Sequence, residues 1–378
     1  MNKYSKIYKY NIGILLIAFI GTMIMLNIFI PSKKFSESEN RVLEQLHRFS
    51  FEQLFNGKFT SNFEKYISDQ FPLRDFWIGV KSNSERVIGK KENNDVYLGK
   101  DNYLMEKFNK YNKKDLKEKI NAINSFAKNN PKLNKYFMLV PNSIKVLEEK
   151  LPKYAPHEEE LEYIEEVKNL LDKDVEFIDV YNELKEHKDE YIYYKTDHHW
   201  TTKGAYYAYE KLCKSMGLKY HDNEYFYTEK VTDNFYGSLY SKGGFRNLEP
   251  DSINLYIPKK YEEVRVEYLD NKEKDDSLYK LENLKKKDKY TVFFGGNQPL
   301  IKVTTNTKNK KKLLLVKDSY ANSLIPFLTG NYSEIYIVDL RYYNEDISKL
   351  IKDNKIKDIF ILYNVKTFSE DSAISNIS

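Results

Sequence analysis

Cysteine is nearly absent from the chain. Its 378 residues hold one, Cys213. A single thiol excludes an intramolecular disulfide and any cysteine-based metal centre, so stability must come from the core. Cys213 shares a helical face with Ala205, Ala208, Tyr209, Leu212 and Met216 and reads as a buried structural thiol. A strong charge bias is missing too. Lys and Arg number 61 against 56 Asp and Glu, a net +5, which gives no footprint for nucleic acid. Neither a P-loop nor a dinucleotide fingerprint occurs, so no cofactor is expected. The 33 tyrosines would suit stacking on sugars, but a composition rich in Lys, Asn, Ile and Tyr explains them more simply.

Charge is wholly absent from Ile12 to Ile30, a run of 19 residues. About 20 apolar residues cross a bilayer core. Lys3, Lys6 and Lys9 precede the run, and the positive-inside rule keeps that end cytoplasmic. A cleaved signal peptide would have a shorter apolar stretch and a small-residue cleavage site. Residues 22–30 are mostly bulky, which favours an uncleaved anchor. The expected division is therefore a cytoplasmic N-terminus and membrane anchor over 1–34, and an extracytoplasmic domain over 35–378.

Within that domain, residues 36–75 are expected to be helical up to Pro72, and Val96 to Met105 to form a hairpin turning at 99–102. Leu116, Ile120, Ile123 and Phe126 mark an amphipathic helix. Tyr136-Phe137-Met138-Leu139-Val140 is a continuous apolar run, as expected for a strand covered on both faces. A helix near 157–172 and a strand at Phe177 to Val180 follow, then Thr196-Asp197-His198-His199-Trp200. Thr201 or Thr202 can cap the next helix, and Gly217 ends it. Residues 219–310 read as an inserted, β-rich segment. Strands at 313–316, 335–338 and 359–362 alternate with helices, one of them after Ser319 and another near 344–353. That alternation implies a parallel α/β sheet.

In such a sheet the loops beyond the carboxyl ends of the strands form the site. Ser319, Arg341 and Asn364 each stand just past a strand end, and Asp197 and His199 follow the middle pair of strands. A serine needs a base to act as a nucleophile. His199 can be that base, and Asp197 can hold its tautomer. The Ser319 N–H and the Asn364 amide are oxyanion donors in this reading. Arg341 serves either a substrate oxyanion or a structural ion pair. Asn297, in Phe294-Gly295-Gly296-Asn297-Gln298-Pro299, marks a turn or points into the site. Ser319 could equally be only a helix cap. His198 and His199 beside Asp197 have the look of metal ligands. Zinc needs three ligands in suitable geometry, no second His/Asp cluster is evident, and no metal is expected.

The segment Thr196-Asp197-His198-His199-Trp200 resembles the DHHW family, which is similar to the alginate O-acetyltransferases of the SGNH hydrolase-like group. Asp69-Gln70-Phe71-Pro72-Leu73-Arg74, Val96 to Lys100, Gly295-Gly296-Asn297 and Lys317-Asp318-Ser319-Tyr320 carry the likeness further. The resemblance implies acid and base roles for Asp197 and His199 and a nucleophile at Ser319. It also implies the fold: a circularly permuted SGNH hydrolase-like parallel sheet with flanking helices, the insertion and the N-terminal transmembrane helix. In a permuted block Asn364 takes the place of the oxyanion asparagine. Lys317 and Arg341 stand where glycines are usual. The implied activity is acetyl transfer through an acetyl-serine to an extracellular or cell-envelope polysaccharide. The implied partner is a membrane-bound O-acyltransferase that exports the acetyl group. The competing readings are an acetyl-esterase with the same triad and a non-catalytic glycan-binding or assembly subunit of an export complex.

Overall fold

Apolar runs of four or five residues build the centre of an eight-stranded sheet. In this computed structural model, residues 3–36, 39, 41–260 and 262–377 are described, with the side chains of residues 3–7, and so of Lys3 and Lys6, outside that description. The chain forms two compact units, Met1–Lys90 with Gly244–Arg246, and Lys91–Gly243 with Asn247–Ser378.

The second unit holds the sheet. Its strands are β1 (Asn134–Val140), β2 (Val175–Ile178), β3 (Val264–Tyr268), β4 (Glu273–Asp275), β5 (Leu300–Thr305), β6 (Lys312–Lys317), β7 (Glu334–Val338) and β8 (Asp358–Asn364). Their spatial order is β4-β3-β5-β7-β6-β8-β1-β2. The five strands from β7 to β2 are parallel. The other three are antiparallel, so the sheet is mixed and not purely parallel. These three strands lie inside the segment read as an insertion. That segment therefore extends the main sheet, and it also carries a separate hairpin, Phe226–Phe235 with Asp251–Pro258.

Alternation explains the continuous apolar runs. Leu313 and Leu315 of β6 enter one core, and Leu314 and Val316 enter the other. Phe360 and Leu362 of β8 join the first core, Ile359 and Ile361 the second. Successive side chains point to opposite faces, so a strand covered on both sides must be apolar throughout. Each fully buried Leu or Ile contributes about 1.5–3 kcal/mol. The helix Thr202–Ser215 covers the first face through Ala205, Ala208, Tyr209, Leu212 and Cys213. Thr201 caps it by accepting from Gly204 N, and Gly217 follows with φ 61°. Helices Lys113–Asn129, Glu160–Leu170 and Ile347–Asn354 cover the other face.

Two helical expectations change. Residues 36–75 do not form a run of helix: the described part has a short pairing of Phe35–Ser36 with Arg41–Val42, then helices Phe51–Phe55 and Lys58–Asp69. Gly57, at φ 74°, separates the two helices. Among the described residues no α-helix starts directly after Ser319 either. Two 3-10 turns, Ser319–Ser323 and Ile325–Leu328, take its place, with Pro326 near the start of the second.

The first unit contains the N-terminal helix Lys3–Phe29. Its stretch Tyr8–Phe29 is long and apolar enough to cross a membrane. At 1.5 Å per residue it spans about 33 Å.

Candidate active site

The parallel register aligns the carboxyl ends of β6, β7 and β8. Val316 pairs with Val338, and Lys317 with Leu362. Ser319 therefore emerges at the same edge as Arg341 and Asn364. The loop after β2 brings Asp197 and His199 to that edge. Asp251 anchors this loop: its Oδ2 accepts from Thr196 N at 2.7 Å and Thr196 Oγ1 at 2.5 Å, and its Oδ1 from Lys195 N at 2.8 Å. Trp200 is a packed core residue whose Nε1 donates to Tyr320 O at 2.9 Å.

Three side chains form a continuous series. His199 Nε2 lies 2.8 Å from Ser319 Oγ, and His199 Nδ1 lies 2.5 Å from Asp197 Oδ1. The same carboxylate oxygen accepts from His199 N at 3.0 Å, and Asp197 Oδ2 accepts from Ser238 N at 2.7 Å. Asp197 and His199 are buried while Ser319 is half-buried. With the Nδ1 proton held by Asp197, Nε2 is left as an acceptor for the Ser319 proton.

The electrostatics fit that arrangement. Burial opposes ionisation of Asp197, but His199, His198 and the Ser238 N–H outweigh it, and the carboxyl lies well below its usual range. Burial, aided by His198, holds His199 below its ordinary 6.5 against the pull of Asp197. The imidazole is thus neutral at neutral pH and can take a proton at Nε2. His198 is partly exposed, with Nδ1 2.6 Å from Ser238 Oγ.

The remaining expected site residues divide. Asn364 is fully engaged. Its Nδ2 donates to Val140 O at 3.1 Å and Asn142 Oδ1 at 2.7 Å, and its Oδ1 caps the next helix through Lys366 N and Thr367 N. Asn142 is in turn held by the buried Glu160. Asn364 therefore has no amide hydrogen left for an oxyanion, and the expectation of a donor there is corrected. Arg341 is an ion-pair residue, with Nε and Nη2 on Asp339 at 2.8 and 2.6 Å. Asn297 does reach the Ser319 turn: its Oδ1 accepts from Lys317 Nζ at 2.9 Å and Asn322 Nδ2 at 3.4 Å. Neither Asn297 Nδ2 nor Ser319 N meets a protein acceptor among the described residues.

Asp197, His198 and His199 offer ligand atoms within 4.8 Å of one another, so this group could hold a cation. Both ring nitrogens of His199 are already in use, on Asp197 and on Ser319. A metal on that ring would have to displace one of them.

Besides Asp251, sequence reasoning missed two further residues that shape the site. The Tyr290 ring stacks on His199 at 3.8 Å and 10°, where its face can stabilise an imidazolium. Its hydroxyl donates to Ser319 O at 3.1 Å. Gly237 is pressed against the carboxylate, and a Cβ there would stand 2.2 Å from Asp197 Cβ and 2.4 Å from Oδ2. Gly237→Ala should displace Asp197 and lower any rate that depends on the Asp197–His199–Ser319 series by about 10²-fold, the scale of a 1 Å misplacement. Turnover and thermal unfolding of the purified variant check this. Unchanged turnover would mean that the turn relaxes without moving the acid.

The fold and the site together define an α/β protein with a serine, a histidine and an aspartate in contact at one sheet edge. Residues 83–338 match the family model described as DHHW protein, and the chain belongs to that family. The match includes Asp197, His199, Asn297 and Ser319 and ends before Arg341 and Asn364. A DHHW family protein from Eubacterium siraeum is similar in structure, at TM-score 0.66 and 26% identity, covering 75% of this chain and 95% of that one. PatB1 from Bacillus cereus, solved with a sulfonyl adduct, has TM-score 0.64 and 23% identity, covering 74% and 98%. The O-acetyltransferase domain of Pseudomonas putida AlgJ has TM-score 0.45 and 16% identity, covering 73% and 92%. No curated protein matches the chain.

Proposed function

We propose that the chain is an O-acyltransferase that places acetyl groups on an extracellular or cell-envelope polysaccharide. The observation that carries this reading is the contact series from Asp197 through His199 to Ser319. Ser319 Oγ adds to the carbonyl carbon of an acetyl donor as His199 Nε2 takes its proton. The carbonyl electron pair moves onto oxygen, where the Ser319 N–H and Asn297 Nδ2 are the available donors. Collapse expels the donor's leaving group, which takes the proton from His199 and leaves acetyl-Ser319. A sugar hydroxyl then attacks, His199 accepts its proton, and the acetyl ester passes to the sugar as Ser319 regains a proton. The acetyl and polysaccharide parts rest on the motif resemblance read from the sequence.

The order β7-β6-β8-β1 is consistent with a permuted SGNH hydrolase-like sheet in which the serine strand comes late in the chain. In this reading Tyr8–Phe29 crosses the cytoplasmic membrane once and the body lies outside. Acetyl-CoA is absent there, so a membrane-bound O-acyltransferase supplies the acetyl group. The test is incubation of the purified chain with an activated acetyl ester, with and without short oligosaccharide acceptors. Acetyl transferred to sugar should exceed acetate released. Release that no acceptor diverts would mark an esterase, and no reaction at all a non-catalytic subunit.

A further inference from the structure

Lys317 is a buried cation two residues before the serine. It ends β6 and is 1% exposed. Its Nζ donates to Asn297 Oδ1 at 2.9 Å and to Asn322 Oδ1 at 2.8 Å, and stands 3.7 Å from Asp339 Oδ2. Arg341 already holds both oxygens of Asp339. That carboxylate does not require a second cation, and burying an ammonium is costly. The two close contacts are amide oxygens, which points to orientation as the purpose.

An ammonium only donates hydrogen bonds. It therefore fixes the Asn297 and Asn322 amides with their oxygens on Nζ. Asn322 Nδ2 leans back onto Asn297 Oδ1 at 3.4 Å. Asn297 is left with two donors on its oxygen and an amide nitrogen that meets no protein acceptor among the described residues. The loop before it has an uncommon backbone conformation. Phe294, Gly295 and Gly296 have φ of 57°, 74° and 101° in succession, a left-handed run that is uncommon for a residue such as phenylalanine.

We propose that Lys317 is a positioning residue for the oxyanion site: by holding the Asn297 oxygen it turns the Asn297 amide nitrogen toward the carbonyl oxygen of an acyl group on Ser319. This rests on the acyl-transfer reading above. As Ser319 Oγ bonds the acyl carbon and its proton passes to His199, the charge forming on the carbonyl oxygen accepts from an Asn297 amide hydrogen. The donor is set before the reaction and costs no reorganisation during it.

The charged groups around Lys317 are Asp339, Arg341, Asp318 and His199. Burial pushes its pKa down to about 8, with Asp339 opposing and Arg341 adding to the shift. Above that pH the ammonium loses the charge that fixes the amide, so acylation should fall on the alkaline side.

The experiment measures acylation by an activated acetyl ester across pH with the purified full chain. Asn297→Ala and Lys317→Met should each slow acylation by about 10²–10³-fold, the scale for one oxyanion donor. The double variant should be no slower than Asn297→Ala beyond about threefold, because the two residues act as one unit. The alkaline fall should disappear in both single variants. Asn297→Asp guards against misfolding: it keeps a partner for Lys317 but offers no amide hydrogen, and should show the same loss with unfolding like the native chain. Multiplying effects, an alkaline fall that survives in Asn297→Ala, or native rates in Lys317→Met and Asn297→Asp would overturn the proposal. Native acylation in Ser319→Ala would overturn the acyl-transfer reading, and this inference with it.

Discussion

Ser319→Ala should abolish acetyl transfer and ester turnover, by about 10⁴-fold or more where a triad nucleophile is lost. Among the described residues the hydroxyl has one hydrogen-bond partner, His199 Nε2. The local fold does not depend on it. Asp318 caps the turn by accepting from Tyr320 N at 2.9 Å and holds Asn364 N at 2.7 Å, and the Ser319 carbonyl that receives Tyr290 is backbone. Alanine keeps all of these. Stability should therefore change by no more than about 1 kcal/mol, the scale of one lost hydrogen bond. Full activity with an intact fold would remove Ser319 from the chemistry. Parallel loss of activity and stability would point to a structural cap instead.

Asp197→Asn should cost about 10⁴-fold in acylation, the scale for a wrong imidazole tautomer. The native carboxylate accepts from His199 Nδ1, His199 N and Ser238 N. An amide offers one oxygen and one NH2. Whichever way it turns, one donor faces another. With its oxygen on Ser238 N, its NH2 donates to His199 Nδ1 and moves the ring proton to Nε2, where it can no longer take the proton of Ser319. The variant also removes the negative charge that raises the pKa of His199 against burial and His198. Any residual activity should thus lose its acid limb at lower pH than in the native chain. A pH–rate profile that keeps the native rate and limb would show that Asp197 is not coupled to the base.

The sheet was legible because its physics is local. Strands such as 313–316 and 359–362 are apolar throughout, since each feeds two cores by alternation. The meeting of Ser319, His199 and Asp197 was legible because strand ends at one edge bring their loops together. The rest needed contacts that no period encodes. Tyr290, Gly237 and Asp251 come from the segment read as an insertion, yet one stacks on the base, one leaves room for the acid and one anchors its loop. Asn364 holds the expected position, but Asn142, 222 residues away, occupies its amide. The helix expected after Ser319 fails because periodicity at Ala321, Leu324 and Phe327 fits 3-10 turns as well, and Pro326 interrupts the α-helical ladder.

Acyl transfer by this chain requires Ser319 to carry the acyl group. Mass spectrometry of the full chain, quenched after brief exposure to an activated acetyl ester, tests it most directly. One acetyl group is expected, located by peptide mapping to Ser319, absent in His199→Ala, and discharged when an acceptor sugar is added. An acetyl group on another residue, or catalysis of ester turnover with Ser319 never modified, would contradict it.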